Sequence, residues 1–323
     1  MRQADISILR NIVVVLALVA SPTGLAMAQG YPNKPVRLVV PFAPSGGTDI
    51  MARTLGAKLS EFWGQQIIVD NRGGAGTVIG TEITVRSPAD GYTLMLANIA
   101  MALNPGLNSK LPYDALRDLT PIILLASQPN ALAAAPNLPV NSVKELIALS
   151  KNGSTKLSFA SSGNGSVGHV SGEMLRIAIG ADMIHVPYKG GGPAVTDLIS
   201  GRIPLALISL PTVMSHLNAG RLKVLAITDS KRSAAAPNIP TISETIAGFQ
   251  VNNWIGLLAP ARTPKNIILK INADSMKLIQ ADELKDRLLS NGFDVIGGTP
   301  EEFSKAIRDD IEKYSKVIRA ANI

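Results

Sequence analysis

Short apolar runs alternate with patterns typical of amphipathic helices along most of this chain. The apolar run 36–40 is followed, from Asp49 onward, by apolar residues at helical spacing. The same order recurs at 157–160, which precedes a helical pattern over 169–179. Strands that alternate with helices predict an α/β protein with mostly parallel sheets that helices cover on both faces.

Two further patterns predict where helices begin and which face they bury. Ser142 and Glu145 have the spacing of a capping box, in which each side chain accepts a hydrogen bond from the other's backbone amide. We therefore expect a helix to begin there. The segment 300–321 has helical periodicity, and its apolar face holds Ile307, Ile311, Tyr314 and Ile318.

The first 28 residues have the three parts of a secretory signal. Two arginines precede or flank the apolar run 12–20, and small residues then continue to Ala28, after which we expect cleavage. The apolar run is about half the length of a spanning helix of roughly 20 residues, although an uncleaved anchor stays an alternative. The chain has no cysteine to accept a lipid, so we expect a mature protein that is free in the periplasm.

Size and charge narrow the function classes. Removal of residues 1–28 leaves 295 residues (323 − 28), more than a single core usually supports, which predicts two lobes. The formal net charge is +7, but Lys and Arg are scattered and aromatic residues make up only 4% of the chain. This pattern argues against nucleic-acid binding and favours mild attraction for anionic solutes.

Two strand-to-helix junctions, at 41–49 and 160–169, are rich in glycine and small polar residues. Ligands of open parallel sheets bind beyond the carboxyl ends of the strands, where such loops lie. Glycine allows the backbone to approach a ligand, and the free amides at the start of a helix attract anions. The two loops therefore predict an anion-binding cleft with one loop from each lobe. Alternatively, either loop is an ordinary turn and Asp49 is only a helix cap.

The second loop also matches the dinucleotide-binding fingerprint, with glycines at 163, 165 and 168. In that fold an acidic residue ends the second strand, where it binds the ribose. Asp182 instead precedes the next apolar run, so it is badly placed for this role. We therefore reject a dinucleotide site and expect no cofactor.

Catalytic and metal-binding patterns are missing from the sequence. His169, His185 and His216 do not have the spacing of metal ligands, so we expect no metal site. The sequence contains neither a Gly-x-Ser-x-Gly elbow nor a Ser-x-x-Lys pair. We therefore expect that the protein is not an enzyme and has no catalytic residues.

Several motifs spread over the whole mature chain are distinctive in combination. They include Pro41-Phe42-Ala43-Pro44-x-Gly46-Gly47-Thr48-Asp49, Asn71-Arg72-x-Gly74-Ala75-Gly76, Asp90-Gly91-Tyr92-Thr93-Leu94 and His185-Val186-Pro187-Tyr188-Lys189-Gly190. Together they resemble the solute receptors of tripartite tricarboxylate transporters, also called the Bug family of periplasmic binding proteins.

This resemblance implies a type II periplasmic-binding-protein fold. Two α/β lobes would be joined by two crossover segments around a ligand cleft, and would close on the ligand. Residues 29–128 and 254–323 would form the first lobe and residues 129–253 the second. The expected function is capture of a small carboxylate, such as a di- or tricarboxylate or another organic acid.

The resemblance also carries site residues and partners onto this chain. The ligand would bind to Phe42, Ser45, Gly46, Gly47, Thr48, Asp49, Asn98, Ser161, Ser162, Gly163, Asn164, Gly165, His169, Tyr188, Lys189 and Ser209. The expected partners are the acid and the membrane subunits of the transporter, with no nucleic acid, and we expect a monomer. An adaptor that presents its ligand to a membrane sensor kinase and, less favoured, an exported hydrolase stay open as alternatives.

Two departures from the family pattern bear on the ligand. Ser45 stands where many relatives have glycine, and this would add a hydroxyl at the site. Ile208-Ser209-Leu210-Pro211 stands where many relatives have an acidic residue and Asn before Leu-Pro. Because that carboxylate would pair with a ligand amino group, we expect a dicarboxylate, an aromatic acid or an aliphatic acid rather than an amino acid.

Overall fold

The computed structural model describes residues 30–152 and 156–321. The expected signal segment 1–28 and its cleavage site lie outside these residues. Within the described ranges, no helix combines the length and hydropathy needed to cross a membrane.

The described residues form two β-sheets. The first sheet contains β1 (Val36–Val40), β2 (Ile67–Asn71), β3 (Thr93–Asn98), β4 (Leu119–Ser127), β10 (Trp254–Pro260) and β11 (Asp294–Val295), in the order β11-β4-β10-β3-β1-β2. The second contains β5 (Asn130–Ala134), β6 (Leu157–Ser161), β7 (Met183–Pro187), β8 (Leu205–Ser209) and β9 (Lys223–Ile227), in the order β7-β6-β8-β5-β9.

Helices connect most of these strands. They are α1 (Gly47–Trp63), α2 (Val78–Val85), α3 (Ala100–Leu107), α4 (Val143–Lys151), α5 (Val167–Ile179), α6 (Gly191–Ile199), α7 (Leu210–Asn218), α8 (Lys265–Gln280), α9 (Asp282–Ser290) and α10 (Pro300–Ala321). The chain passes from the first sheet to the second between β4 and β5, and returns between β9 and β10. The expected α/β fold with two lobes and two crossovers is thereby confirmed.

Strand direction differs from the sequence-based expectation. In the part of the chain that the structure describes, four strand pairings are parallel and five are antiparallel, so the sheets are mixed rather than mostly parallel. The reason lies in the crossovers. The first strand after each crossover, β5 or β10, enters the middle of its new sheet antiparallel to both neighbours.

The second sheet is buried on both faces, as the sequence predicts. Successive side chains of a strand point to opposite faces, and β5 follows this alternation. Leu132 and Ala134 belong to one buried cluster, whereas Ala131 and Ala133 belong to another. Each residue is fully buried, so β5 is a central strand with apolar side chains on both faces.

Two helix predictions are resolved by the structure. Ile307, Tyr314 and Ile318 of α10 are buried, and Ile311 packs against the same cluster, which confirms the predicted apolar face. The capping box at Ser142 is only half formed. The Ser142 hydroxyl accepts a hydrogen bond from the Glu145 backbone amide. The Glu145 carboxylate, however, reaches one residue further back and accepts a hydrogen bond from the backbone amide of Asn141 rather than that of Ser142.

Hydrogen bonds tie the two crossover segments to each other. The Gln128 amide donates to the Asn253 carbonyl at 2.7 Å, and the Thr228 amide donates to the Asn130 carbonyl at 2.9 Å. The buried carboxyl of Asp229 on the second crossover lies 2.7 Å from the hydroxyl of Ser127 at the end of β4. Burial raises the pKa of Asp229 to about 7, and the nearby Asp294 carboxylate adds to this rise.

We predict that ionisation of Asp229 destabilises the protein. Between pH 4 and about pH 7 the folded protein retains a proton on Asp229 that the unfolded chain has released. The protonated carboxyl therefore stabilises the folded protein at low pH, and this contribution to the free energy of unfolding is lost as the pH rises through about 7. Urea denaturation measures the free energy of unfolding of the wild type and of Asp229→Asn. As the pH rises, this free energy should fall in the wild type relative to the variant. Asp309→Asn, the same change at an exposed carboxylate, is the control. A difference between wild type and Asp229→Asn that is independent of pH would contradict the assignment.

Candidate functional site

A cleft lies between the two sheets where several strands end and their helices begin. We call it the inner cleft; its cavity volume is about 40 Å³. Its lining residues come from both lobes and both crossovers. They are Phe42, Ala43, Gly46, Gly47, Thr48, Asn98, Gln128, Asn130, Ser162, Ser166, Val167, Gly168, Gly190, Gly191, Ser209 and Asn253.

Helix N-termini converge on the inner cleft. Within the described residues, α1, α5, α6 and α7 begin there, at Gly47, Val167, Gly191 and just after Ser209. Amides of a first helical turn have no partner within the helix, and the helix dipole places positive partial charge at this end. No charged side chain lies among the described lining residues. The positive potential of the cleft therefore comes from backbone dipoles, which suits an anion.

Three side-chain amides from the crossovers also line the inner cleft. Gln128, Asn130 and Asn253 are each at least 97% buried. The Asn253 amide nitrogen donates to the Asn130 side-chain oxygen at 3.0 Å. Among the described residues, Gln128 Oε1 and Asn253 Oδ1 have no hydrogen-bond partner. Leaving such buried acceptors unpaired costs about 1–3 kcal/mol each, and because a carboxylate has no hydrogen to donate, their natural partner is a water bound together with the ligand.

Sequence reasoning missed these amides because it followed the glycine-rich loops. Gln128 and Asn130 flank Pro129 between two apolar strands, and Asn253 directly precedes the fully buried strand β10. Polar side chains at the edges of apolar strands were the available signal. Nothing in the local pattern indicates that positions so far apart along the chain meet in one cleft.

The first loop is held in place by Asp49. Its buried carboxylate accepts three hydrogen bonds, each 3.0 Å long. The donors are the Ser45 backbone amide, the Arg53 guanidinium and the Asn71 side-chain amide. Burial alone would raise the pKa of Asp49, but these hydrogen bonds outweigh it and the pKa lies below its ordinary value. Asp49 therefore shapes the loop and does not line the cleft.

Ser45 is exposed and does not line the cleft either. Its φ of 69° lies in the left-handed region, which non-glycine residues rarely adopt. A glycine at this position would adopt the same conformation without strain. The Ser45 hydroxyl, which the sequence analysis expected at the site, is thus placed outside it.

The second loop rests on two histidine rings that contact each other at a tilt. The His185 ring lies 4.3 Å from the His169 ring and 5.0 Å from the Phe159 ring. His185 Nε2 lies 2.7 Å from the Ser161 hydroxyl, which also accepts from the Gly163 amide. Burial lowers the pKa of His185 to about 4, with a contribution from His169, so His185 is neutral at pH 7.

Ser161 and His185 have the separation of a nucleophile and its base, a pairing that the sequence did not indicate. The Ser161 side chain, however, is fully buried beneath the loop, and its hydroxyl is already engaged by the loop amide. A substrate cannot reach it. The pair therefore fixes the conformation of the loop.

A second, larger cavity adjoins the inner cleft. This outer chamber has a volume of about 620 Å³ and is lined by residues 41–43 and 73–77 of the first lobe and by residues of 162–166 and 187–190 of the second. The two cavities share five lining residues: Phe42, Ala43, Ser162, Ser166 and Gly190. They are therefore neighbouring compartments between the lobes.

The site residues expected from the sequence fall into three groups. Phe42, Gly46, Gly47, Thr48, Asn98, Ser162 and Ser209 line the inner cleft. The outer chamber is lined by Gly163, Asn164, Tyr188 and Lys189, together with Phe42 and Ser162. The residues that line neither compartment are Ser45, Asp49, Ser161, Gly165 and His169.

Glycines allow the two lobes to approach closely. A Cβ atom at Gly76 would lie 3.2 Å from the Asn164 carbonyl oxygen, and one at Gly190 would lie 3.0 Å from the Ala43 Cβ. A Cβ at Gly47 would lie 2.6 Å from the Ser209 hydroxyl, which belongs to the opposite lobe. The lobes are thus closed on each other, with the cleft between them.

Gly47→Ala should weaken ligand binding because its methyl group opposes closure. The added Cβ would lie only 2.5 Å from Gln128 Oε1, and overpacking of this kind costs roughly 1–3 kcal/mol, or about tenfold or more in affinity. Gly192→Ala in the first turn of α6 is the matched control, because Gly192 lines neither compartment and its Cβ would meet nothing closer than 3.6 Å. The measurement is calorimetric titration with an acid that binds the wild type. Equal affinities for both variants would show that Gly47 does not limit closure.

His185 gives a second prediction, on acid stability. Because its pKa in the folded protein is about 4, against an ordinary value of 6.5, the unfolded chain takes up the proton first as the pH falls. The neutral His185 ring therefore contributes its full stabilisation of the folded protein above about pH 6.5, and this contribution is lost as the pH falls towards 4. His185→Gln keeps a polar partner for Ser161 but does not titrate. In denaturant unfolding, the wild type should lose stability relative to this variant between pH 7 and pH 4, and a constant difference would refute the assignment.

Within residues 30–152 and 156–321, no group of three or more His, Cys, Asp or Glu residues is arranged to hold a metal ion.

Comparison with known proteins places this geometry in context. The sequence profile described as "Tripartite tricarboxylate transporter family receptor" matches residues 51–323. The chain is 35% identical over 312 residues to BugT of Bordetella pertussis, covering 96% of this chain and 95% of BugT. It also resembles the solved structure of R. palustris Rpa4515 with adipate (TM-score 0.87, 34% identity, 91% of this chain and 99% of that one). A further similar structure is the periplasmic binding protein BugD (TM-score 0.85, 31% identity, 91% and 99% covered).

Proposed function

The chain belongs to the tripartite tricarboxylate transporter receptor family, and we propose that it captures a small organic acid in the periplasm for a transporter of this class. Members of the family are substrate-binding receptors and not enzymes, so the chain is a receptor and not an enzyme. We also propose that its partners are the membrane subunits of the transporter, that the protein is a monomer, and that the signal is removed after Ala28.

The convergence of helix N-termini from both lobes on one uncharged cleft carries this proposal. Hydrogen bonds to a charged group contribute about 1.5–3 kcal/mol each, and three or four of them supply roughly 5–12 kcal/mol. A micromolar complex requires about 8 kcal/mol after the costs of association. Neutral donors can therefore stabilise the carboxylate without a salt bridge, while the affinity of the complex also requires contacts to the rest of the acid.

The lining also bears on the chemical class of the acid. The family resemblance implies a carboxylate at the place that Ile208-Ser209-Leu210 occupies here, and among the described lining residues of the inner cleft none is acidic. A buried ammonium without a carboxylate partner is costly, so an amino acid is disfavoured. We propose an acid without an amino group. The relative Rpa4515, which is solved with adipate, is consistent with this class.

We further propose that residues 29–128 and 254–323 form the first lobe and residues 129–253 the second. The sheets support this division, because β4 ends at Ser127, β5 begins at Asn130, and β9 and β10 lie on either side of the second boundary. The proposed ligand contacts are the expected residues that line the two compartments, supplemented by Gln128, Asn130 and Asn253.

A thermal-unfolding screen of about a hundred carboxylic acids tests the function. An acid present at about 100 times its Kd stabilises the folded protein by about 2.7 kcal/mol, which raises the unfolding temperature by several degrees. We expect one or more acids to do so, while the matching α-amino acids have no effect. Each hit is repeated with Gly47→Ala, which should reduce the shift. If no acid raises the unfolding temperature, the proposed function is wrong.

A further inference from the structure

The inner cleft is too small to hold a whole ligand. One water-sized sphere needs about 10–15 Å³ of cavity volume, so the 40 Å³ of the inner cleft hold about three waters or one carboxylate group. The outer chamber, at about 620 Å³, lies within the roughly 300–1,000 Å³ of ordinary ligand pockets. If the proposed function holds, the remainder of the acid must therefore extend into the outer chamber.

The wall of the outer chamber is largely apolar. Apolar or aromatic side chains come from both lobes: Pro41, Phe42, Ala43, Ala75, Pro187 and Tyr188. The Tyr188 hydroxyl already donates to the Asp197 carboxylate at 2.9 Å, which leaves its ring as the surface for a ligand. Phe42 and Tyr188 thus offer one aromatic ring from each lobe, and such rings pack well against planar apolar groups.

The charge in the outer chamber is limited to one side chain. Among the described residues that line it, Lys189 is the only charged one, and it is exposed to solvent. An exposed ammonium contributes little to an ion pair because water screens its charge. That contribution does not compensate for the desolvation of a second carboxylate in an apolar chamber.

We propose that the ligand is a monocarboxylate with an apolar body, either an aromatic ring or a medium-length alkyl chain. The carboxylate occupies the inner cleft, where the helix N-termini converge, and the apolar body occupies the outer chamber. Phe42 and Tyr188 are then specificity-determining residues, because they cover the body of the acid from opposite lobes. This inference rests on the proposed function and specifies the class of acid.

Calorimetric titration of the wild type with a graded series of acids tests the inference. Straight-chain acids from acetate to octanoate, phenylacetate and 3-phenylpropanoate are compared with adipate and malate. Each methylene buried in the chamber contributes about 0.8 kcal/mol, so affinity should rise about fourfold per methylene until the chamber is full. We expect 3-phenylpropanoate to bind at least tenfold more tightly than propanoate, and more tightly than adipate.

Variants of the chamber locate the apolar body. Ala75→Phe adds a ring to the wall, and Ala75→Ser is the control of nearly unchanged size. We expect Ala75→Phe to reduce the affinity for the long and aromatic acids tenfold or more and to leave the affinity for the short acids unchanged. Ala75→Ser should match the wild type for all of them. An unchanged affinity series in Ala75→Phe would place the apolar body elsewhere and overturn the inference.

Two other results separate the inference from the proposed function. If adipate or malate binds more tightly than the apolar acids and Lys189→Met removes the advantage, the outer chamber binds a second anion. The inference then fails while the proposed function stands. If none of these acids binds although another acid raises the unfolding temperature in the thermal screen, the inference fails and the proposed function stands. Monocarboxylate affinity that is independent of chain length also overturns the inference and leaves the proposed function intact.

Discussion

The attraction between an anion and the exposed amides of converging helix N-termini is the interaction on which the site depends. Each contributing helix begins at the carboxyl end of a strand or directly beside it, so the strand order determines where the helix dipoles meet. Asp49 and the Ser161–His185 pair hold the two glycine-rich loops in the conformation that leaves these amides free. The packing of both lobes thus serves to orient backbone dipoles.

The same residues take part in closing the two lobes and in lining the ligand cleft. Gln128, Asn130 and Asn253 lie on the crossovers, where the backbone must rotate when the lobes separate, and they also line the inner cleft. The side-chain oxygens of Gln128 and Asn253 have no partner among the described residues, and a water that enters with the ligand can donate to them. A ligand that brings such a water therefore stabilises the closed arrangement by completing hydrogen bonds at the hinge, which couples occupancy to conformation.

Two buried titratable groups close to the cleft favour their uncharged forms at slightly acidic pH. Burial raises the pKa of Asp229 to about 7 and lowers that of His185 to about 4. The buried Asp49 carboxylate, by contrast, is paired with Arg53, and an unpaired fixed charge in this region would compete with the weaker field of the helix dipoles. The site therefore discriminates by the charge, size and polarity of the acid, since the inner cleft offers neutral donors and the outer chamber offers apolar surface.

The α/β class, the apolar face of α10 and the two loops that flank the cleft could all be predicted from the sequence. These features follow from local patterns, namely hydrophobic periodicity and runs of glycine and small polar residues. Strand direction, and the meeting of Gln128 with Asn253, were decided only by the tertiary structure. Periodicity shows which residues are buried but not which way a strand runs, and β5 and β10 become central antiparallel strands only after the chain changes sheets. Likewise, only the juxtaposition of loops from both lobes divides the cleft into a polar compartment and an apolar one.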